Sequence, residues 1–211
     1  MDSAGTTTHK GTERHHGVIY TRLYWILTYL RGQIPNIHLR ILLARWLLTF
    51  APRYTFNELR TSVLRVIGFE IGRKSKFLGT PKILGRDNLY KRLKIGHGCW
   101  INFDCHFELS APIVIGDGVG IGPEVMIMTG THEIGPESYR VGKLIALPVT
   151  IEDGVWIGAR CTILPGVTIG RGSVISAGSI VRHSVPPNTI VVGTQGVPIE
   201  KWMALRQQGD W

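Results

Sequence analysis

Aliphatic residues recur at every sixth position in the C-terminal half of the chain. One uninterrupted run consists of Ile151, Ile157, Ile163, Ile169, Ile175 and Val181. The residue four places after each of these is small or β-branched: Val155, Cys161, Val167, Ser173, Ser179 and Val185. An α-helix would need a period near 3.6 and an isolated strand a period of 2. A strict period of six instead predicts short strands joined by sharp corners in a stack of coils, with both sets of residues pointing inward.

The same period begins earlier in the chain, so the coiled region is long. A first run contains Ile95, Ile101, Phe107 and Ile113, and after a two-residue slip a second run contains Ile115, Ile121 and Ile127. Glycines such as Gly118 and Gly154 would supply corner conformations that a β-carbon opposes. We therefore predict an all-β fold over residues 71–198, a parallel β-helix of hexapeptide repeats.

The repeat is interrupted between Ile127 and Ile151. Glu133 and Tyr139 occupy two positions that should be aliphatic, so the chain must leave the coils there. The resulting excursion loop, residues 129–148, is the one loop of the repeat region that is long enough to carry a functional site.

The segments on either side of the coils have different patterns. Residues 1–17 are polar and lack an apolar period, which predicts a flexible tail. Residues 18–70 mix aliphatic and aromatic residues with arginines, which predicts a basic, amphipathic helical extension. Residues 199–211 abandon the repeat, and we expect them to form a short helix that caps the coils. Within the N-terminal extension, the expected helices span residues 18 to about 30, 38–50 and 57–66.

The net charge of +9 is concentrated in the N-terminal part of the chain. Residues 1–94 hold 17 lysines and arginines against 5 acidic residues, whereas residues 95–211 hold 7 against 10. The first part therefore favours an acidic partner. It carries no nucleic-acid recognition motif or zinc-finger spacing. No nucleic acid is expected, and an anionic membrane surface or an anionic substrate fits better.

A membrane contact would fall on residues 18–50. Their aliphatic and aromatic residues with spaced arginines suit a helix that lies in a membrane interface. An equally good alternative is that these helices pack on the coils or shape the acceptor pocket. The apolar stretches are too short to span a bilayer. We expect a cytoplasmic protein, with peripheral contact at the inner face of the plasma membrane if the first alternative holds.

The three cysteines indicate packing rather than chemistry. Cys99, Cys105 and Cys161 each fall four places after an aliphatic repeat residue, which is the small inward position. Their odd number, in a sequence without a cleavable signal peptide, argues against a disulfide framework and fits a reducing compartment. We expect three buried thiols.

Three segments of the chain together resemble a known family of enzymes. They are GCWINFDCHF, MTGTHEIG and PVTIEDGVWIGARCTILPGVTIGRGSVISAGSIVRHSVPPN, and they are similar to the hexapeptide-repeat acetyltransferases, which include maltose, galactoside and nodulation-factor enzymes. With its basic N-terminal extension, the chain looks most like the colanic-acid and exopolysaccharide acetyltransferases. The resemblance implies a left-handed β-helix, a homotrimer with active sites between neighbouring subunits, acetyl-CoA or another acyl-CoA as co-substrate, and no metal.

Transfer of an acyl group from a thioester to a hydroxyl needs a base for the hydroxyl proton and a donor for the tetrahedral oxyanion. His132 lies in the excursion and matches the family's base, and imidazole titrates near neutral pH. His132 is therefore the predicted catalytic residue. The alternative is an ordinary solvated histidine, and His106 is then the next candidate because it could face the substrate cleft.

The resemblance also assigns binding residues. Asn102 matches an asparagine that contacts the acceptor, although asparagine at a coil corner often satisfies backbone groups instead. Trp156 matches a tryptophan beside the CoA arm and should point outward, because it follows a small inward residue. We predict that it contacts both substrate and cofactor. The other predicted cofactor-binding residues are Gly158, Ala159, Ala177, Arg182 and His183.

The sequence departs from the family where contacts to the CoA phosphates are expected. A family lysine is replaced by His183, the usual G-N-P-A turn reads GTQG at residues 193–196, and a nearby family arginine matches Val197. Basic side chains elsewhere could take over these contacts; the candidates are Arg160, Arg171 and Lys201.

The predicted function is that of an acyl-CoA-dependent O-acetyltransferase acting on a hydroxyl of a sugar or a saccharide-containing acceptor. Two alternatives remain open, an N-acyltransferase acting on an amino sugar and a non-catalytic β-helix scaffold. A γ-type carbonic anhydrase is disfavoured, because the residue five places after His132 is Glu137 rather than the histidine that its zinc site needs.

Overall fold

The computed structural model describes residues 38–52, 55–85, 88–193 and 195–198, the last four by their backbone alone. From Leu39 onwards, the described residues belong to one compact unit. The predicted tail, the predicted helix from residue 18 to about residue 30 and the predicted C-terminal cap lie outside the described residues.

Three parallel sheets run along a stack of coils. The first sheet consists of the strands Glu70–Ile71, Leu93–Ile95, Ile113–Ile115, Val149–Ile151 and Thr168–Ile169. The parallel strands of the second sheet are Lys76–Phe77, Trp100–Ile101, Gly120–Ile121, Trp156–Ile157, Val174–Ile175 and Thr189–Val192. The third sheet consists of Lys82–Leu84, His106–Glu108, Met126–Ile127, Thr162–Ile163 and Ile180–Val181. Successive coils supply the strands of the three sheets in turn, and the predicted parallel β-helix is confirmed.

The core lies inside the coils and consists of the repeat residues. Ile151 pairs with Ile169 in the first sheet, and Ile157 pairs with Ile175 in the second. Each partner lies three hexapeptides further along the chain, so one coil equals three repeats. The aliphatic residues from Ile151 to Val181 are at most 3% exposed, and the small residues four places after each are also buried. Burial of these side chains is the main favourable contribution to folding.

The two-residue slip in the period has a simple structural origin. The strand Ile113–Ile115 is three residues long, and its first and third residues are both buried, while Val114 is 39% exposed. Side chains alternate between the two faces of a strand. In the first sheet, the strands Ile113–Ile115 and Val149–Ile151 therefore each have two inward residues. The first run of the period ends on the first inward residue, Ile113, and the second run starts on the other, Ile115, so the slip is not a break in the coil.

Coil corners bring backbone into close contact with backbone. A β-carbon added at Gly122 would lie 2.7 Å from the backbone nitrogen of Ala159 in the next coil. Atoms at that separation overlap, so only glycine fits at this corner.

The left-handed backbone conformation at corners is not confined to glycine. Gly118 and Gly154 adopt it as expected, with φ of 65° and 68°. Asp104, Glu124 and Arg160 adopt it too, with φ of 55°, 58° and 58°. Such a conformation costs a residue with a β-carbon about 1–3 kcal/mol, and the surrounding coil packing offsets that cost.

Helices pack at the N-terminal end of the coil stack. They span Leu39–Thr49 and Asn57–Val66. A short helix, Leu89–Arg92, connects the first coil to the second along the chain. The Nε group of Arg65 donates a hydrogen bond to the carbonyl of Ile71 at 3.0 Å. The buried guanidinium of Arg60 donates to the carbonyl of Ala51 at 2.6 Å. The second helix is thus attached both to the first coil and to the turn that precedes it.

The coil stack ends in an antiparallel pair that the repeat did not predict. Strand Thr189–Val192 pairs in parallel with Val174–Ile175 on one side and antiparallel with Gln195–Pro198 on the other. The chain reverses at Gly193, which has a φ of 62°. Residues 195–198 therefore lie at the edge of the second sheet and do not continue the coil.

The close stacking of coils predicts a difference between two neighbouring glycines. We expect Gly122→Ala to destabilise the protein by about 1–3 kcal/mol, because its β-carbon would collide with backbone that cannot move aside. Gly120→Ala is the matched control. Its β-carbon would meet only Trp156 Cδ1, at 3.6 Å, so the thermal unfolding midpoint should stay the same or rise slightly. Equal midpoints for both variants would contradict the steric argument.

Candidate active site

The excursion from the coils is an antiparallel β-hairpin. Its strands are Gly130–Ile134 and Val141–Ala146, and His132 pairs with Leu144. The hairpin connects the third sheet to the first sheet of the next coil, and the side chain of His132 is exposed. The predicted base therefore stands on a protruding piece of regular β-structure.

A carboxylate that the sequence analysis did not identify, that of Glu108, holds the start of this hairpin in place. Glu108 Oε2 accepts hydrogen bonds from the backbone N–H groups of Thr129 at 2.9 Å and Gly130 at 2.7 Å. Its Oε1 accepts from the N–H and the hydroxyl of Ser110, at 2.9 Å and 2.5 Å. The strand that carries His132 begins at Gly130, so Glu108 fixes where that strand starts.

The environment of Glu108 keeps this anchor ionised. Partial burial raises the pKa of the carboxyl group, but the hydrogen bonds from Ser110, Thr129 and Gly130 together lower it by more, so the pKa lies below its ordinary value. No local signal in the sequence identifies this role, because Thr129 and Gly130 lie 21 and 22 residues further along the chain. A glutamate next to an inward phenylalanine is expected to be an ordinary outward-facing residue.

Two edges of the coil stack carry the predicted site residues. We call the edge where the chain leaves the second sheet the second edge; it is formed at Asn102, Gly122, Gly158 and Ser176. The edge where the chain leaves the third sheet is the third edge; it is formed at Leu109, Met128, Leu164 and Arg182.

The second edge contains Asn102, Gly158, Ala159 and Ala177. Asn102 Oδ1 accepts a hydrogen bond from the N–H of Phe103 at 2.9 Å, which is the backbone-satisfying role considered above. A β-carbon at Gly158 would lie 2.5 Å from the backbone nitrogen of Ala177. Coil stacking alone therefore requires this glycine, whatever ligand the edge binds. Ala177 is exposed and Ala159 partly exposed.

Two tryptophans stand on the outer face of the second sheet beside this edge. Trp156 is 61% exposed and points outward as predicted, and Trp100, which sequence reasoning missed, is 52% exposed. Both pair with Gly120, one on each side of its strand. The two indoles therefore flank a slot whose floor is a glycine. Trp100 follows the inward Cys99 as Trp156 follows Val155, so the same repeat argument could have identified it.

The third edge contains the His132 hairpin, Arg182 and His183. Arg182 and His183 are exposed and border an open hollow of about 300 Å³ at the end of the coils. The strand before Arg182 lies two strands along the third sheet from Met126–Ile127, where the hairpin leaves. That corresponds to a separation of about 10 Å along the stack.

The arginines considered as substitutes for phosphate contacts have partners of their own. Arg160 Nε lies 3.0 Å from Glu124 Oε2, and Arg171 lies 3.9 Å from Asp153 Oδ2. Both pairs are exposed, so either arginine could exchange its partner for a phosphate at little cost. Lys201 lies outside the described residues.

His106, the second candidate base, lies on the outer face of the third sheet. It pairs with Lys82 and Met126 and, together with Asp104 and Glu124, it lines a hollow of about 400 Å³. Partial burial and the neighbouring charge of Lys82 lower the pKa of His106. A lowered pKa favours the neutral imidazole, the form that a base requires.

The cysteines are core residues, as predicted. Cys99, Cys105 and Cys161 are all buried and free. Burial raises the pKa of Cys105 to about 12 and also raises the pKa values of the other two thiols. Thiols protonated at neutral pH are poor nucleophiles. In the described part of the chain, no group of three or more His, Cys, Asp or Glu side chains could hold a metal ion.

Within one chain, the predicted site residues do not form a single pocket. His132, Arg182 and His183 lie at the third edge, while Asn102 and Ala177 lie at the second edge. The third sheet separates the two edges. A site that uses residues from both edges needs a second copy of the chain to bring them together.

The chain is similar in sequence and structure to known acetyltransferases. Residues 148–183 match the family described as bacterial transferase hexapeptide (six repeats). A galactoside O-acetyltransferase of Escherichia coli K12 is 40% identical over 101 residues, which are 48% of this chain and 50% of that protein. The solved structure of a Vibrio cholerae hexapeptide-repeat acetyltransferase in complex with acetyl coenzyme A is 32% identical, with a TM-score of 0.62. The comparison covers 74% of this chain and 82% of that chain.

A galactoside acetyltransferase solved in complex with coenzyme A is also similar. It is 29% identical, with a TM-score of 0.66, over 78% of this chain and 80% of that chain. In the sequence comparisons with curated relatives, by contrast, the chain covers only about half of each relative's length. These matches confirm the resemblance that the three sequence segments indicated.

The hydrogen bonds of Glu108 predict that Glu108→Gln loosens the hairpin. Glutamine replaces one acceptor oxygen by an NH₂ group, so N–H donors at the hairpin base lose their partner at a cost of about 1–3 kcal/mol. Trypsin should then cut faster after Arg140 and Lys143, which lie on the hairpin. The matched control is Glu133→Gln, which changes an exposed carboxylate on the same hairpin. Trypsin should cut this variant at the parental rate.

The same substitution should remove a dependence of stability on pH. Because folding lowers the pKa of Glu108, its contribution to stability is complete above the pKa of the unfolded state and is lost as the pH falls through the lower pKa of the folded state. The difference in unfolding midpoint between parent and Glu108→Gln should therefore shrink on acidification. A difference that stays constant with pH would show that Glu108 acts only through its shape.

Proposed function

This chain belongs to the hexapeptide-repeat acetyltransferases, and from that premise we propose that it transfers an acetyl group from acetyl-CoA to a hydroxyl of a sugar or a saccharide-containing acceptor. His132 is the general base in this proposal. The observation that carries it is the hairpin. The residue that matches the family's general base lies on the long excursion from the coils, and a partly buried hydrogen-bond network around Glu108 fixes where that excursion starts.

The proposed reaction is a direct transfer. His132 removes the proton of the acceptor hydroxyl as its oxygen attacks the thioester carbonyl, and a C–O bond forms. The tetrahedral intermediate then collapses, the C–S bond breaks, and the CoA thiolate takes the proton from the imidazolium. The transfer needs neither a metal nor an oxidant, and the base ends in the form in which it began.

The co-substrate is proposed to lie along the small-residue second edge. Trp156 offers an exposed apolar surface there, and the small side chains of Ala159 and Ala177 allow close approach to the backbone. From the third edge of a neighbouring copy, Arg182 would offer positive charge and His183 a hydrogen-bond donor for the CoA phosphates. The solved Vibrio cholerae and galactoside enzymes have acetyl-CoA or CoA bound, which supports the same co-substrate here.

We propose a homotrimer with its sites between subunits. The support is the separation of the predicted residues onto two edges of the prism, since residues from both edges can meet only when the third edge of one copy lies beside the second edge of its neighbour. A closed ring of copies related by rotation satisfies this requirement at each of its interfaces.

The acceptor is proposed to be a sugar hydroxyl because two similar proteins are named for that chemistry, the galactoside O-acetyltransferases of Lactococcus lactis and Escherichia coli. A panel of acyl-CoA donors with neutral sugars and amino sugars, followed by thiol release, tests this proposal. Acylation of amines only would favour the N-acyltransferase alternative. Failure to bind any acyl-CoA would favour the scaffold.

His132→Ala should reduce turnover by roughly a hundredfold to ten-thousandfold, the usual contribution of a positioned general base. Affinity for acyl-CoA should change little, because the proposed CoA contacts are other residues. The measurement is turnover with an acceptor identified in the panel, together with calorimetric titration of the CoA ligand.

His106→Ala is the comparison variant for this experiment. It removes the other imidazole with a candidate role and should retain most of the parental turnover. Both variants must keep the parental unfolding midpoint and oligomeric mass. A folded His132→Ala variant with parental turnover would refute the mechanism, and a large loss in His106→Ala alone would transfer the role of base to His106.

Mixed oligomers test whether the site lies between subunits. His132→Ala removes the third-edge base, and Asn102→Ala removes the second-edge residue that we propose contacts the acceptor, so each variant alone should be inactive. Co-expression of the two variants should then give some interfaces at which both residues are intact. With random assembly of rotationally related copies, about one quarter of the sites recover. Co-expression of either variant with the double variant gives no intact interface and serves as the control. Mixed oligomers without recovered activity, or an active monomer, would refute the interfacial site.

A further inference from the structure

The helix Leu39–Thr49 has two apolar faces, and only one of them is buried. Ile41, Ala44 and Leu48 form the buried face. The opposite face, which we call the outer face, consists of residues that are between 50% and 76% exposed: Leu39, Leu42, Leu43, Trp46, Leu47 and Phe50. Their spacing of three and four residues puts them on one stripe. A stripe of six large apolar side chains is far more than scattered surface hydrophobics and indicates a binding surface.

The charges around the outer face are all positive. At 100° per residue, Arg40 and Arg45 fall on the two flanks between the outer face and the buried face. The helix contains no acidic residue, and in the sequence none occurs between Glu13 and Glu58, a stretch that holds six arginines. The partner of this surface must therefore offer apolar material at its centre and negative charge on both sides.

We propose that the outer face docks on an anionic lipid surface, with the helix lying parallel to the membrane plane. Leucines and aromatic rings would enter the boundary between headgroups and acyl chains, and Arg45 would extend to a lipid phosphate. The guanidinium of Arg40 lies over the Tyr90 ring, 5.8 Å from its centroid, and would exchange that ring for a phosphate at the membrane. Trp46 and Phe50 are in edge-to-face contact, with ring centroids 6.1 Å apart. Aromatic residues of this kind are enriched at the membrane interface.

The length of the helix agrees with attachment rather than insertion. Eleven residues span about 16 Å, about half of the hydrocarbon core of a bilayer. Among the residues that the structure describes, no helix is long and apolar enough to cross a membrane.

Charge also argues against the other occupants of this face. A second copy docked face to face would bring Arg40 and Arg45 against the same arginines, with no acidic residue of the helix to pair with them. The preceding segment of the chain, from Arg14 onwards, would add further arginines and no carboxylate. Nucleic acid would satisfy the charges but would leave the leucines without an apolar partner.

Vesicle flotation of the full-length chain tests the proposal. The probes are vesicles of phosphatidylcholine alone and of equal parts phosphatidylcholine and phosphatidylglycerol, each at low and high salt. We expect the protein to float with the anionic vesicles at low salt, and the bound fraction to fall severalfold at high salt or with phosphatidylcholine alone.

Paired variants separate the apolar and the charged contributions. Trp46→Ser with Phe50→Ser should lower partitioning by about tenfold or more, because two large apolar side chains no longer enter the lipid. The matched control, Val114→Ser with Val192→Ser, removes exposed apolar residues from the coils and should bind as the parent does. Arg40→Gln with Arg45→Gln should weaken binding to anionic vesicles only, whereas Arg140→Gln with Lys143→Gln, on the hairpin, should not.

Three outcomes would overturn the proposal, and each identifies another explanation. If the parent fails to float and Trp46→Ser with Phe50→Ser lowers the oligomeric mass, the outer face is a contact between copies. If the parent fails to float and that variant exposes residues 1–37 to protease, the chain covers its own helix. If the control Val114→Ser with Val192→Ser loses binding as much as Trp46→Ser with Phe50→Ser does, the attachment is not specific to the outer face. The proposal does not rest on acetyl transfer, so its failure leaves the proposed function untouched.

Discussion

The structure depends on the close stacking of one coil on the next. At the corners the backbones approach so closely that a β-carbon at Gly122 or Gly158 would overlap the neighbouring coil. This contact sets the register in which Ile157 lies over Ile175, and each inward residue then covers its counterpart three repeats away. Because the inward positions are fixed in this way, the outward positions are free to carry chemistry. The exposed tryptophans, the hairpin and the basic corner residues all use such positions.

Much of the fold could be predicted from the sequence because the period of six states directly which residues point inward. A failure of that period, at Glu133 and Tyr139, also located the excursion. The pattern could not predict that the excursion is a hairpin or that the coils end in an antiparallel pair at Gly193, since backbone pairing outside the coils leaves no mark on the period. Left-handed corners at Asp104 and Arg160 were missed because coil packing, not residue type, imposes them.

The site was predictable only in part, for a related reason. Trp156 and His132 match positions in a familiar pattern, and Trp100 follows from the same repeat argument applied one step further. The role of Glu108 could not be predicted, because it depends on N–H groups 21 and 22 residues away. No spacing in the sequence indicates a contact of that kind. The sequence also could not show that the predicted residues lie on two edges. Because the third sheet lies between the two edges, their separation supports the proposed assembly.

In our proposal the two N-terminal helices have separate tasks. Helix Asn57–Val66 covers the first coil, where Arg65 donates hydrogen bonds to the carbonyls of Ile71 and Gly72, so the end of the stack is already closed without the outer face of helix Leu39–Thr49. The charge of the chain is also distributed unevenly, since residues 1–94 are basic and the remainder is slightly acidic. An anionic surface would therefore attract the N-terminal helices together with the first coil, and repel the later coils. Because the second and third edges run along the stack rather than across its end, attachment through the outer face would leave both edges open to substrates.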